Sequence, residues 1–275
     1  MSGHGPDGRP DDDVVRYPSE LARDRLVSNR RARRLRRLWR TLPGAPRCKI
    51  CSSPFGGPAG AVLSHLGKGR WPGNPAYCGG CFKALIAHRA GAEVECTLFF
   101  ADVRGSTAIA ESIPPTAFRR LMDHFYATAS AVLVDHEAVV DKFVGDEVVA
   151  IFIPALAGAE HPRRAIDAGL VLLRATGNDA VEPRVPIGIG VNTGNAYVGA
   201  VGTAEHVEFT ALGDAVNVAA RLASAARPGE LLVTESTAQA AGLDVGAQER
   251  RHLDLRGKSA PTEVVVLTAR PSMTD

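Results

Sequence analysis

The 275-residue chain has no apolar run approaching the roughly 20 residues that a bilayer-spanning helix needs. The longest candidate, Val148 to Ala157, is short and contains Pro154. The N-terminus, MSGHGPDGRPDDD, lacks the apolar core of a secretory signal. Those two absences make a cytoplasmic protein the expectation. Excess charge is also lacking: the net value is +2, but it is unevenly placed. Residues 1–47 hold 12 Arg and no Lys against 6 Asp and Glu, and the remainder holds 20 basic against 24 acidic residues. The basic character therefore belongs to the N-terminal segment. There is no internal repeat. At 45% hydrophobic and 23% charged, the composition is that of a soluble globular protein.

Residues 1–17, rich in Gly, Pro and Asp, are expected to be disordered. Residues 18–43 read as a basic amphipathic helix with Ser19 as a cap. Leu35, Leu38, Trp39 and Leu42 fall on one stripe, and Arg30, Arg31, Arg33, Arg34, Arg36, Arg37 and Arg40 crowd the other faces. The simpler reading is a solvated helix packed on the body or on a dimer mate. Contact with nucleic acid or an anionic membrane is the alternative.

Five cysteines in a cytosolic chain point to metal or free thiols before disulfides. Cys48-Lys49-Ile50-Cys51 and Cys78-Gly79-Gly80-Cys81 are two CxxC pairs separated by 26 residues rich in Gly and Pro. Such pairs suit one Zn²⁺ held by four thiolates, and residues 44–90 are expected to form a small zinc module stabilised by that ion. A redox dithiol is the competing reading. Cys96 lies in an apolar strand pattern and reads as core.

From Val94 onward strands alternate with helices. The pattern predicts strands over 94–102, 186–193, 195–202, 205–210, 230–234 and 262–268, with a hairpin over 138–153. Helices are predicted over 106–112, 115–135, 160–176, 214–226 and 236–241. The expected class is α+β, with helices packed on a mostly antiparallel sheet. The hairpin AVVDKFVGDEVVAIFI places Asp146 at a tight turn, with Gly145 free to take the turn dihedral. Thr97 to Asp102 is an apolar strand that ends on a second carboxylate. A strand-end Asp beside a hairpin-tip Asp can hold Mg²⁺ or Mn²⁺, hard ions that bridge to phosphates.

FADVRGST, KFVGDEV, GVNTGNAYVGAVG and FTALGDAVNVAARL, in that order, resemble the catalytic domain of class III nucleotidyl cyclases. The resemblance covers roughly Val94 to Leu267, within an expected catalytic domain at 94–269. It implies a ferredoxin-like palm sandwich. It also implies a phosphorus–oxygen lyase that turns a nucleoside triphosphate into a 3′,5′-cyclic monophosphate and pyrophosphate, using two metal ions per active site. By resemblance, Asp102 and Asp146 are the metal-binding carboxylates, with the Val103 carbonyl as an extra ligand. Asn217 would orient the ribose and Arg221 would stabilise the phosphate in the transition state. Lys142 and Thr210 stand at the family's base-reading positions. Lys can donate to adenine N1 and Thr can accept from the exocyclic amine, so this pair argues for ATP.

Lys258, in LRGKSAP, is a candidate triphosphate contact. Many family members carry a phosphate-binding Arg where this chain has Gly188, and Lys258 or Arg184 would have to compensate. The resemblance also implies an active site shared between two catalytic domains, hence a head-to-tail homodimer. The resulting expectation is an adenylyl cyclase. Its rivals are a cyclase with another base preference, a nucleotide-sensing protein with a decayed site, and a nucleic-acid-binding module built on the Arg-rich helix and the Cys₄ element.

Overall fold

The computed structural model describes residues 30–48, 51–72, 74–87, 91–177, 184–203, 207–254 and 261–269. The N-terminal tail, the first part of the basic helix and Lys258 lie outside the described residues. The described part of the basic segment is α1 (Arg30–Thr41), on which Leu38 is exposed. The Cys-rich segment contains α2 (Gly57–Leu63), the short hairpin β1 (Arg70–Trp71) and β2 (Asn74–Cys78), and α3 (Gly79–Ala87). In chain order there follow β3 (Gly91–Val103), α4 (Ser106–Ser112), α5 (Pro115–Asp135), β4 (Val139–Val144) and β5 (Glu147–Phe152). Next come α6 (Pro154–Ala157), α7 (His161–Thr176), β6 (Ile187–Gly202), β7 (Val207–Leu212) and α8 (Asp214–Ala225). The chain closes with β8 (Glu230–Thr234), α9 (Glu235–Ala240), β9 (Glu249–Leu253) and β10 (Thr262–Thr268).

Strands β3 to β10 form one sheet in the order β4-β5-β3-β6-β8-β10-β9, with β7 paired to β6. Among the described residues, only the β6–β8 pair is parallel. This is the expected α+β class with a mostly antiparallel sheet. One sequence expectation fails: residues 186–193 and 195–202 do not form two strands. They form the single 16-residue β6, because β3 is long enough to pair with it from Ile187 to Gly199 without a turn at Gly194. β9 was not anticipated: its sequence, ERRHL, is mostly charged and half exposed, so it carries no alternation to read.

Side-chain alternation along β3 builds two cores. Phe99, Ala101 and Val103 face α5 and α7, which contribute Met122, Phe125, Ala129 and Leu133, and Ile166 and Leu172. Cys96, Leu98 and Phe100 face the other way, with Val149, Ile151, Ala196 and Val198, against Ala215, Ala219 and Ala223 of α8. The small residues on α8 and the glycines of β6 allow close approach. A Cβ on Gly190 would lie 2.2 Å from the Ala223 nitrogen and 2.3 Å from the Ala219 oxygen. Asp102 therefore sits on the sheet face that α8 covers. Among the described residues no helix is long and apolar enough to cross a membrane.

Candidate active site

Two antiparallel pairings bring the acidic residues together. Asp102, next to the end of β3, is directly opposite Glu147 of β5 on one side and Gly188 of β6 on the other. The β4–β5 turn carries Gly145 at φ 62°, a left-handed value that glycine takes without strain, and then Asp146. The Val103 amide donates to the Asp146 carbonyl at 3.2 Å, which ties the turn to the strand end. Tyr126 of α5 donates its hydroxyl to the Gly145 carbonyl and packs its ring, tilted by 30°, at 4.6 Å from that of Phe143. The hairpin tip is thus held from both sides.

Asp102, Asp146 and Glu147 share this corner with the guanidinium of Arg104. Arg104 forms an ion pair with the Asp102 carboxylate and donates to the Ser224 carbonyl of α8 at 3.0 Å. Burial lowers the Arg104 pKa, and Asp146 and Glu147 oppose that shift. Burial, then the like charge of Asp146, raises the Glu147 pKa, while Arg104 lowers it. Carboxylates are the ligands that a hard divalent cation prefers. Among the described residues, however, only the four cysteines gather three or more side-chain ligand atoms within 4.8 Å of one another, and Asp102 is paired with Arg104. Sequence reasoning missed Arg104, although its place two residues beyond Asp102 put it near the same strand end.

Gly188 departs from the family pattern for a packing reason. A Cβ there would lie 2.9 Å from the Ala226 oxygen and 3.0 Å from its Cβ. The chain leaving α8 fills the space that a longer side chain would need, and Arg104 brings its charge to the neighbouring Ser224.

Lys142 and Thr210 lie on different strands and are brought to the same spot. The β4–β5 register shifts between Val140 and Lys142. That bulge lets the adjacent side chains of Asp141 and Lys142 both reach β7. Lys142 Nζ donates to Glu208 at 2.8 Å, and Thr210 Oγ1 donates to Asp141 at 2.6 Å. Asp141 and Glu208 were not picked out in the sequence. The signal was available, since Glu208 and Thr210 are two apart on one strand and so share a face.

On α8 the buried stripe is Ala215, Val218, Ala219, Leu222 and Ala223. Asn217 is exposed and Arg221 half-buried, one helical turn apart and outside that stripe.

The four CxxC cysteines converge. Their sulfurs all lie within 4.8 Å of one another, with Cys51 and Cys78 at 3.6 Å. Four thiolates at about 2.3 Å from a tetrahedral ion have edges of about 3.8 Å, so the donor set fits such a centre. The Cys78 amide points at the Cys48 sulfur at 3.2 Å, and the turn after Cys51 uses Ser52 at φ 64°. Sulfur hydrogen bonding, chiefly with Cys51, pushes the Cys48 thiol up, and contact with Cys48 does the same to Cys81. Contact with Cys48 also lowers the Cys78 thiol to about 6. Four such sulfurs cannot all ionise without a cation among them.

This knot packs on the catalytic sheet. Tyr77 and Phe82 cluster with Val139 of β4, and Phe82 meets Phe209 of β7 edge-on.

Residues 89–268 match the family model described as the adenylate and guanylate cyclase catalytic domain. An uncharacterized protein of Mycobacterium tuberculosis is 35% identical over 183 residues, 63% of this chain and 32% of that protein. The chain thus spans about a third of the length of that curated relative. The crystal structure of the adenylyl cyclase CyaB from P. aeruginosa is similar with a TM-score of 0.57 and 27% identity, over 66% of this chain and 97% of that one. The guanylyl cyclase Cya2 matches in fold, with a TM-score of 0.59 and 23% identity over 67% and 97% of the two chains. The motifs, the sheet that gathers them and these matches agree: the chain belongs to the class III family of adenylate and guanylate cyclase catalytic domains.

Proposed function

We propose that the protein is an adenylyl cyclase that converts ATP to 3′,5′-cyclic AMP and pyrophosphate. The observation that carries this reading is the convergence of Lys142 and Thr210 across β4 and β7. An ammonium offers protons to adenine N1, and a hydroxyl oxygen accepts from the exocyclic amine. Guanine presents the reverse pattern, a donor at N1 and an acceptor at O6.

In the reaction the ribose 3′-oxygen attacks the α-phosphorus and passes its proton to solvent water. The bond to the β-phosphate oxygen breaks and pyrophosphate leaves. Asp102, Asp146 and the Val103 carbonyl would hold two Mg²⁺ or Mn²⁺ ions, which would supply a lowered pKa for the hydroxyl and charge to offset the triphosphate. Asn217 orients the ribose, and Arg221 meets charge that develops on the phosphate. Arg104 adds positive charge at the strand end, where Gly188 supplies none. Lys258 remains a candidate triphosphate contact. The Cys₄ cluster holds a structural Zn²⁺.

The site is shared between two copies of the chain. Asn217 is exposed and Arg221 only half-buried, and both lie outside the buried stripe of α8, which supports this arrangement. Mixing protomers tests it. Asp146→Ala and Arg221→Ala should each be inactive alone, because every site in either homodimer lacks one group. Mixed after subunit exchange, they should recover about one quarter of wild-type activity, since half the dimers then carry one intact site of two. No recovery from a mixture shown to contain heterodimers would contradict the shared site.

A further inference from the structure

A threonine hydroxyl is an ambiguous reader: it can donate or accept. Thr210 alone would therefore accept from the amine of adenine or donate to the O6 of guanine. Its surroundings remove the ambiguity. Thr210 is 7% exposed, and its hydroxyl hydrogen is directed to Asp141 Oδ2 at 2.6 Å. An ionised carboxylate only accepts, so the proton is committed and the oxygen lone pairs are left for the ligand. The neighbouring contact works in the same sense. Glu208 accepts a hydrogen bond from one N–H of Lys142 and so favours the charged ammonium, and two further N–H groups remain to donate. The β-bulge that turns Asp141 and Lys142 to the same strand makes both contacts possible.

We infer that Asp141 is a specificity-determining positioning residue, which fixes Thr210 as a hydrogen-bond acceptor and so selects adenine over guanine. The inference rests on the ATP reading given above and deepens it. Asp141 acts through Thr210 and does not touch the base. Burial raises the Asp141 pKa, whereas the Thr210 hydrogen bond and Lys142 lower it.

The test is the ratio of kcat/KM for ATP to that for GTP, measured on the full chain. In Asp141→Asn the carboxamide can donate to Thr210, which turns the hydroxyl proton toward the base. The ratio should fall by about tenfold or more, mainly through KM, because a buried polar reader with the wrong polarity rejects its ligand strongly. A second substitution separates polarity from mere support. Asp141→Asn combined with Thr210→Asp restores an acceptor that needs no orienting, and should restore most of the ATP preference. Asp141→Ser, whose hydroxyl is equally two-handed, serves if the Asn variant does not fold.

A folded Asp141→Asn or Asp141→Ser enzyme with the wild-type ratio would overturn the inference, as would a double variant that stays unselective. A wild-type enzyme that prefers GTP would instead overturn the ATP reading, and the two failures are distinct.

Discussion

The ring of Phe82 stands edge-on to that of Phe209, with centroids 5.8 Å apart and planes at 88°. Phe82 follows Cys81 of the four-cysteine cluster, and Phe209 precedes Thr210 in β7. On the other side of the knot Tyr77, next to Cys78, packs with Val139 and donates to Glu137 at 3.3 Å. The Cys₄ element therefore touches both strands that carry Lys142 and Thr210, the proposed base readers.

Removing the proposed zinc ion should loosen both strands. Chelation, or Cys48→Ser with Cys78→Ser, should release zinc, lower the melting temperature and raise KM for ATP more than it lowers kcat. Trp71, stacked on Phe82 at 3.7 Å, reports the same event by fluorescence. Phe82→Ala should cost about 3–5 kcal/mol, as other buried aromatic truncations do. Metal release with unchanged melting and unchanged KM would separate the knot from the site.

Arg104 is paired with the Asp102 carboxylate, so in the proposed site it would compete with the metal ion for that group. Arg104→Ala removes a positive charge from beside three carboxylates, so the Mn²⁺ concentration for half-maximal activity should fall several-fold. The maximal rate should fall as well, because Arg104 supplies charge that Gly188 does not. A metal requirement that rises would place Arg104 among the groups that support the ion. Gly188→Arg should not rescue the variant, because the Ala226 carbonyl blocks the side chain.

Glu230 and Arg251 form a bidentate pair at 2.7 and 2.8 Å, and Arg227 N also donates to Glu230. The Arg251 hydrogen bonds hold the Glu230 pKa below its ordinary 4.5. A depressed carboxylate stabilises the fold above its unfolded pKa, and the gain is lost as pH falls through the folded value. Stability should therefore decline below about pH 4.5, and Glu230→Gln should flatten that decline. At pH 7 the substitution should cost on the order of 2–3 kcal/mol, under the range for fully buried pairs because Arg251 is one-fifth exposed. Urea unfolding across pH checks both statements.

Gly190→Ala tests the close packing of α8. The added methyl meets the backbone of Ala219 and Ala223, which cannot rotate away, so α8 must shift. A loss of about 1–3 kcal/mol or more is expected, together with a fall in kcat, since Asn217 and Arg221 move with the helix. Full activity at wild-type stability would show that the helix yields without cost.

Much of this was legible in the chain itself. The Gly145-Asp146 turn, the strand ending at Asp102 and the helices over 106–112 and 115–135 appear as expected, because each has a local signal in glycine, proline or apolar spacing. The two CxxC pairs predicted a single cluster, and the sulfurs meet. What escaped was long-range. The continuity of β6 depends on the length of its partner β3, and β9 is held by its pairing with β10 rather than by its own residues. Asp141 and Glu208 were not picked out, because only the bulge and the nearness of β7 show what they hold. Arg104 likewise gains a role only where three strands and α8 meet.

The most direct measurement offers ATP, GTP, CTP and UTP separately to the purified chain, with Mn²⁺ and with Mg²⁺, and identifies the products. The account predicts cyclic AMP and pyrophosphate from ATP, at a rate well above any other cyclic nucleotide, and lost in Asp146→Ala. Cyclic GMP as the main product, or cyclic AMP that survives in Asp146→Ala, would contradict it.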